Sequence, residues 1–126
     1  MLHHVGIEVR PADVDRAVEF FAVLGFERVE PPPALAGEFT WLERGGTQVH
    51  LMHAEHPTVP ERGHLAVVVP NFEETLERLH DRGFQTRPGR EHWGAPRAHA
   101  VAPGGHRVEL MTAPPQPGGS NRTPST

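Results

Sequence analysis

Histidine and glutamate stand at four matched places in this chain. The segment GGTQVHLM (45–52) returns as GGHRVELM (104–111), with His50 in the first copy where Glu109 stands in the second. HVGIEV (4–9) returns as HLAVVV (64–69), and each copy opens on a histidine, His4 and His64. Imidazole and carboxylate are side chains that bind transition metals and move protons near neutral pH. Since the sequence has no cysteine, a metal here finds only nitrogen and oxygen donors. Three imidazoles and one carboxylate suit one divalent transition metal per site (Zn, Ni, Co, Mn or Fe(II)) and disfavour calcium and magnesium, which take all-oxygen shells. Four protein ligands on an octahedral ion leave two positions for water or for two oxygens of one substrate. A base beside them can then exchange a proton with a substrate bound there. Glu109 is the first candidate for that base if it can leave the metal, with His50, at the repeat-related place, as the alternative.

Composition narrows the partners. The formal charge of -4 and a pI near 6.2 give no basic face for nucleic acid and no polybasic membrane anchor. Small molecules and further copies of the chain are the partners expected. All twelve basic residues are arginine, so Schiff-base chemistry and a lysine base are excluded, and no tyrosine is present to act as an acid. Ten histidines in 126 residues exceed what a core or surface needs. The N-terminal MLHHVGIEVR has no signal-peptide pattern, and no apolar run approaches a membrane span. A cytoplasmic location is expected.

The elements that position these residues repeat with them. The offset between copies stays between 58 and 60 residues across the opening strand, the Gly-Phe pairs 25–26 and 83–84, and the Gly-Gly strands. In the first copy, Val5, Ile7 and Val9 alternate with His4, Gly6 and Glu8 as in a half-buried strand. Asp13 is placed to cap a helix with Val14, Ala17, Val18 and Phe21 on one face, ended by Gly25. Strands follow near 26–30, 39–43 and 47–52, the last two joined by the Arg-Gly-Gly turn 44–46. In the second copy His64 to Val69 is a strand. Asn71 and Glu74 form a capping box ahead of the stripe Phe72, Leu76 and Leu79, and Gly83 ends that helix. Strands near 84–87, 97–102 and 107–111 complete it. The organisation expected is therefore a single domain over 1–112 built of two repeats, 2–54 and 64–112. A Pro-rich connector, 55–63, joins them, and a disordered tail spans 113–126.

Period-two alternation then sorts the faces. The apolar set of each strand must face its helix, which puts His4, His50, His64 and Glu109 on the opposite surface. If the halves assemble into one curved sheet, four metal-type ligands converge. His3 falls on the helix-side parity and is read as structural. His53 and His56 lie beyond the strand and are read as solvated. Arg97, His99 and Arg107 are candidates to hold an anionic small-molecule substrate, because arginine forks bind carboxylate and phosphate bidentately. Trp41 and Trp93 are candidate stacking surfaces.

The HHVGIEV start, the DVDRAVEFF…LGF helix and the closing GGHRVELM resemble the vicinal oxygen chelate superfamily, which holds glyoxalases, bleomycin resistance proteins and dioxygenases. The resemblance covers residues 2–112. It implies an α+β fold of two tandem βαβββ modules forming a cupped mixed sheet with helices outside, a divalent metal in the cup, and a homodimer. It carries the family's ligand positions onto His4, His50, His64 and Glu109, although His50 stands where glyoxalase I normally has Glu or Gln. The implied chemistry is a metal-dependent lyase or isomerase moving a proton on a substrate chelated through vicinal oxygens. An extradiol-type dioxygenase using His4, His64 and Glu109 is the alternative, as is a protein that sequesters a drug as the bleomycin resistance proteins do.

Overall fold

A computed structural model describes residues 1–115. The first module runs β1 (His4–Val9), α1 (Val14–Val23), β2 (Glu27–Val29), β3 (Phe39–Arg44) and β4 (Thr47–His53). The second runs β5 (Leu65–Val68), α2 (Phe72–Asp81), β6 (Thr86–Pro88), β7 (Arg97–Val101) and β8 (Arg107–Met111). Each forms its own four-stranded mixed sheet, in the orders β1-β4-β3-β2 and β5-β8-β7-β6. In both, the opening strand pairs parallel to the closing strand, and the remaining pairs are antiparallel. The expected order of elements is thus found in both halves. The connector contains no helix or strand, and residues 116–126 of the expected tail lie outside the described residues.

Both helices end by the same device. The Gly25 N–H donates to the Ala22 carbonyl and the Phe26 N–H to that of Phe21; Gly83 and Phe84 do the same to His80 and Leu79. This is the Schellman arrangement. It needs a left-handed residue after the helix, and Gly25 (φ 94°) and Gly83 (φ 81°) supply it. The helix starts depart from expectation. Asp13 and Asn71 do stand at the N-caps, but neither side chain makes a cap hydrogen bond. Asp13 is itself helical (φ −98°, ψ −4°), closing a short 3-10 turn over Pro11–Asp13, so it lacks the extended backbone that aims a cap oxygen at N2 or N3.

The helix-facing sides of the two sheets share one apolar core that includes Phe20, Phe21, Leu42, Leu51, Leu79 and Leu110. The modules meet through Phe20 and Phe84, edge to face at 5.2 Å, with the Arg16 guanidinium 3.9 Å over the Phe84 ring. Buried His106 adds a polar link, its Nε2 donating to the Glu8 carbonyl at 2.7 Å. Among the described residues no helix is long and apolar enough to cross a membrane.

Candidate functional site

The sheet faces turned away from the shared core carry the expected residues as two half-sites. On the first sheet, cross-strand register places Trp41 beside His50, Glu43 beside Gln48, Gln48 beside His4, and His50 beside Gly6. His50 is buried, with its ring sandwiched between two others. The Trp41 indole lies 4.1 Å away on one side and the His4 imidazole 4.0 Å away on the other. Trp41 is therefore packed on His50, and only its other face is left for the substrate stacking that its sequence position suggested. Gly6 leaves room for the neighbouring Met52 side chain, whose Cε would sit 3.2 Å from a Cβ placed there.

Two polar contacts fix how His50 sits. Its Nε2 is 2.7 Å from the Gln48 Oε1, and Gln48 Nε2 donates to the Glu43 carboxylate at 2.9 Å. Burial, followed by the nearby His4 and His3, lowers the His50 pKa below the ordinary histidine value. His50 is then a neutral imidazole at neutral pH, the form that ligates metals or accepts protons.

His3 overturns its structural reading. Its Nδ1 lies 2.9 Å from the Nδ1 of His4, and its ring is edge-on to both His4 and His50. Alternation assigned it to the helix side, but β1 begins at His4, and beyond a strand end the pleat no longer fixes direction. His53, read as solvated, lies inside β4 with its Nε2 2.8 Å from the Thr40 hydroxyl.

On the second sheet, Glu109 is buried with two partners: Oε1 is 3.3 Å from the His64 Nε2, and Oε2 is 3.2 Å from the Arg97 Nη1. His64 falls one residue before β5, at the exposed edge of the sheet. Its Nδ1 is 2.9 Å from the Arg62 carbonyl, an acceptor, so the proton sits on Nδ1. In the neutral ring, Nε2 is then a lone pair facing a carboxylate oxygen. Two facing acceptors repel unless a proton or a cation joins them, and an N–H bonded to a backbone carbonyl is the usual support of a metal-ligating histidine. His64 and Glu109 are thus donors of the type a divalent transition metal takes, two of the three or more it needs.

Register fixes which face of β7 meets the site. His99 pairs directly with Glu109, and Arg97 with Met111, so both lie on the Glu109 face. Arg97 also donates from Nε to the Arg90 carbonyl at 2.6 Å and stands 5.5 Å over the Trp93 ring. His99 is depressed by burial first, then by Arg97, with Glu109 opposing. The His99 Nδ1 and the indole nitrogens of Trp41 and Trp93 are buried with no partner among the described residues. Arg107, on the same face two residues before Glu109, is exposed.

The four expected ligands therefore come together in pairs, His4 with His50 and His64 with Glu109. Among the described residues, no three histidine, aspartate or glutamate side chains lie close enough to hold a metal. His3, Glu43 and Gln48 were missed as participants. Only the position of Gln48 and Glu43 on the His50 face was readable beforehand.

The fold agrees with what comparison finds. Residues 1–110 match the Glyoxalase/Bleomycin resistance protein/Dioxygenase superfamily, and the chain belongs to that family. Similar solved structures include a Bacillus anthracis protein assigned to the glyoxalase family (TM-score 0.77, 19% identity, covering 88% of this chain and 93% of that one). Others are the oxidase ChaP-H2 (0.71, 23%, 94% and 98%) and the lactoylglutathione lyase of Agrobacterium tumefaciens (0.68, 18%, 88% and 92%). At these identities the likeness is one of fold. No curated protein matches.

Proposed function

We propose that this protein is a divalent-metal-dependent lyase or isomerase that moves a proton on a small anionic substrate held through neighbouring oxygens. We also propose that each site is built from the first module of one chain and the second module of its partner in a homodimer. The observation that carries the reading is the His64–Glu109 pair, two metal-type donors held 3.3 Å apart with the half-buried Arg97 guanidinium behind the carboxylate. His4, His64 and Glu109 would hold the ion, with His50 the fourth candidate. Bound there, a divalent metal supplies Lewis-acid stabilisation of charge on adjacent oxygens. Arg97 orients Glu109, while Arg107 and the rest of the guanidinium surface attract an anionic group. Glu109 and His50 are the groups able to take the proton. The separation of the two donor pairs onto different sheets supports a site shared between copies, since each half alone offers too few donors.

The extradiol-type reading with His4, His64 and Glu109 keeps one observation in its favour: His50 is stacked on His4, which leaves a two-histidine, one-carboxylate set. The test common to both is metal content per chain by mass spectrometry after supplying Zn, Ni, Co, Mn and Fe(II) separately. About one ion per chain, lost in His4→Ala, His64→Ala and Glu109→Ala, is expected for a three-donor core. Oxygen consumption by the iron-loaded protein with a catechol would favour the dioxygenase reading. Failure to hold any of these ions would point to a sequestering protein.

A further inference from the structure

Two imidazoles can bind one ion only if that ion lies in both ring planes, because each nitrogen lone pair is in the plane of its ring. The His4 and His50 rings are stacked, 4.0 Å between centroids and 15° from parallel. Planes so spaced and tilted meet more than about 10 Å away, whereas a metal–nitrogen bond is about 2.1 Å. His50 cannot turn freely to mend this. Trp41 covers its other side at 4.1 Å and 1°, and its Nε2 is tied down 2.7 Å from Gln48.

The tie also fixes which nitrogen carries the proton. A carboxylate can only accept, so Gln48 must turn its amide N–H₂ toward Glu43, 2.9 Å away. Its carbonyl oxygen is then the atom facing His50, and His50 must donate from Nε2. Nδ1 remains as the unprotonated nitrogen. Glu43 and Gln48 are directly opposed across β3 and β4, so the sheet register itself builds this chain.

We infer that His50 stands outside the metal's ligand set and is instead the locked end of a Glu43–Gln48–His50 chain. Glu43 and Gln48 act as positioning residues that hold it as the Nε2–H tautomer, with Nδ1 free to accept a proton or hydrogen bond. The chain that fixes a hydrogen-bond acceptor beside the ligand His4 deepens the metal reading above and rests on it only for what His50 serves. The tautomer follows from the hydrogen bonds alone. Such an acceptor takes the proton of a hydroxyl or a water, while the guanidinium-rich half-site takes the anionic part of the same molecule.

The test is a long-range proton–nitrogen spectrum of the metal-free protein labelled in its histidine rings, held on the alkaline side of neutrality. The wild type is expected to show His50 protonated on Nε2 and bare on Nδ1. Gln48→Leu and Glu43→Leu, each with an otherwise native amide spectrum, should cut the Nε2–H to Nδ1–H ratio, by about fivefold for loss of the bond to His50 and by less for loss of Glu43. A wild-type His50 protonated on Nδ1, or a ratio unmoved by Gln48→Leu, overturns the proposal. Metal content separates the rest. His50→Gln should keep the wild-type content that His4→Ala loses, and loss in both overturns the exclusion of His50. If the wild type takes up no metal, the metal reading fails while the spectrum still decides the tautomer.

Discussion

The Trp41 indole lies flat on the His50 imidazole, 1° from parallel, the two being direct cross-strand partners. Burial under that stack is the main reason His50 is hard to protonate, and His99, half-buried beside Arg97, shares the property. For a histidine depressed in the folded state, the unfolded chain binds more protons between the folded value and the ordinary one, near 6.5. Stability therefore rises with pH through that window. We expect the contribution of these two groups to be intact above it, to be lost as the pH falls from about 6.5 toward their folded values, and to level off below them. Urea midpoints measured across this range for wild type and His50→Gln would show it. The variant should have the shallower acid slope, and equal slopes would contradict the assignment.

Glu109 is buried against Arg97 and His64, and removing one partner strands a carboxylate that the fold has already desolvated. Arg97→Met should cost about 2 kcal/mol in denaturant unfolding near neutral pH. Arg97→Lys should recover part of it only, because an ammonium cannot also lie over Trp93 and donate to the Arg90 carbonyl as the guanidinium does.

His106 joins the modules through the Glu8 carbonyl. His106→Ala leaves that carbonyl without its partner and should cost about 1–2 kcal/mol. Phe84→Ala, which empties the ring between Phe20 and Arg16, should cost about 3–4 kcal/mol. Thermal unfolding by circular dichroism gives both, and His106→Ala showing the larger loss would place the main link between modules elsewhere than in the core.

A site shared between copies has a direct signature. His4→Ala and Glu109→Ala should each hold no metal alone. Unfolded together and refolded as a mixture, half of the dimers would be mixed, and each of these would hold one intact site, restoring about a quarter of all sites. A site closed within one chain restores none, and metal content after mixing distinguishes the two.

Much of this was legible from the sequence because it depends on local periodicity. The alternation around Val5, Ile7 and Val9, the helix stripes, and the Gly-Phe pairs that close both helices are each set within a few residues. They gave the two-module fold and the face that carries His4, His50, His64 and Glu109. The duplication supplied the rest of the order, since each half tested the other. Three things needed the folded chain. The stacking of Trp41 on His50, and the Glu43–Gln48–His50 chain, depend on cross-strand register, which no single strand encodes. His3 joined His4 because it stands outside the strand, where alternation stops applying. How the two ligand pairs stand relative to each other depends on how the modules pack through Phe20, Phe84 and His106. That packing is a contact between distant parts of the chain, and it is decided by shape complementarity, not by pattern.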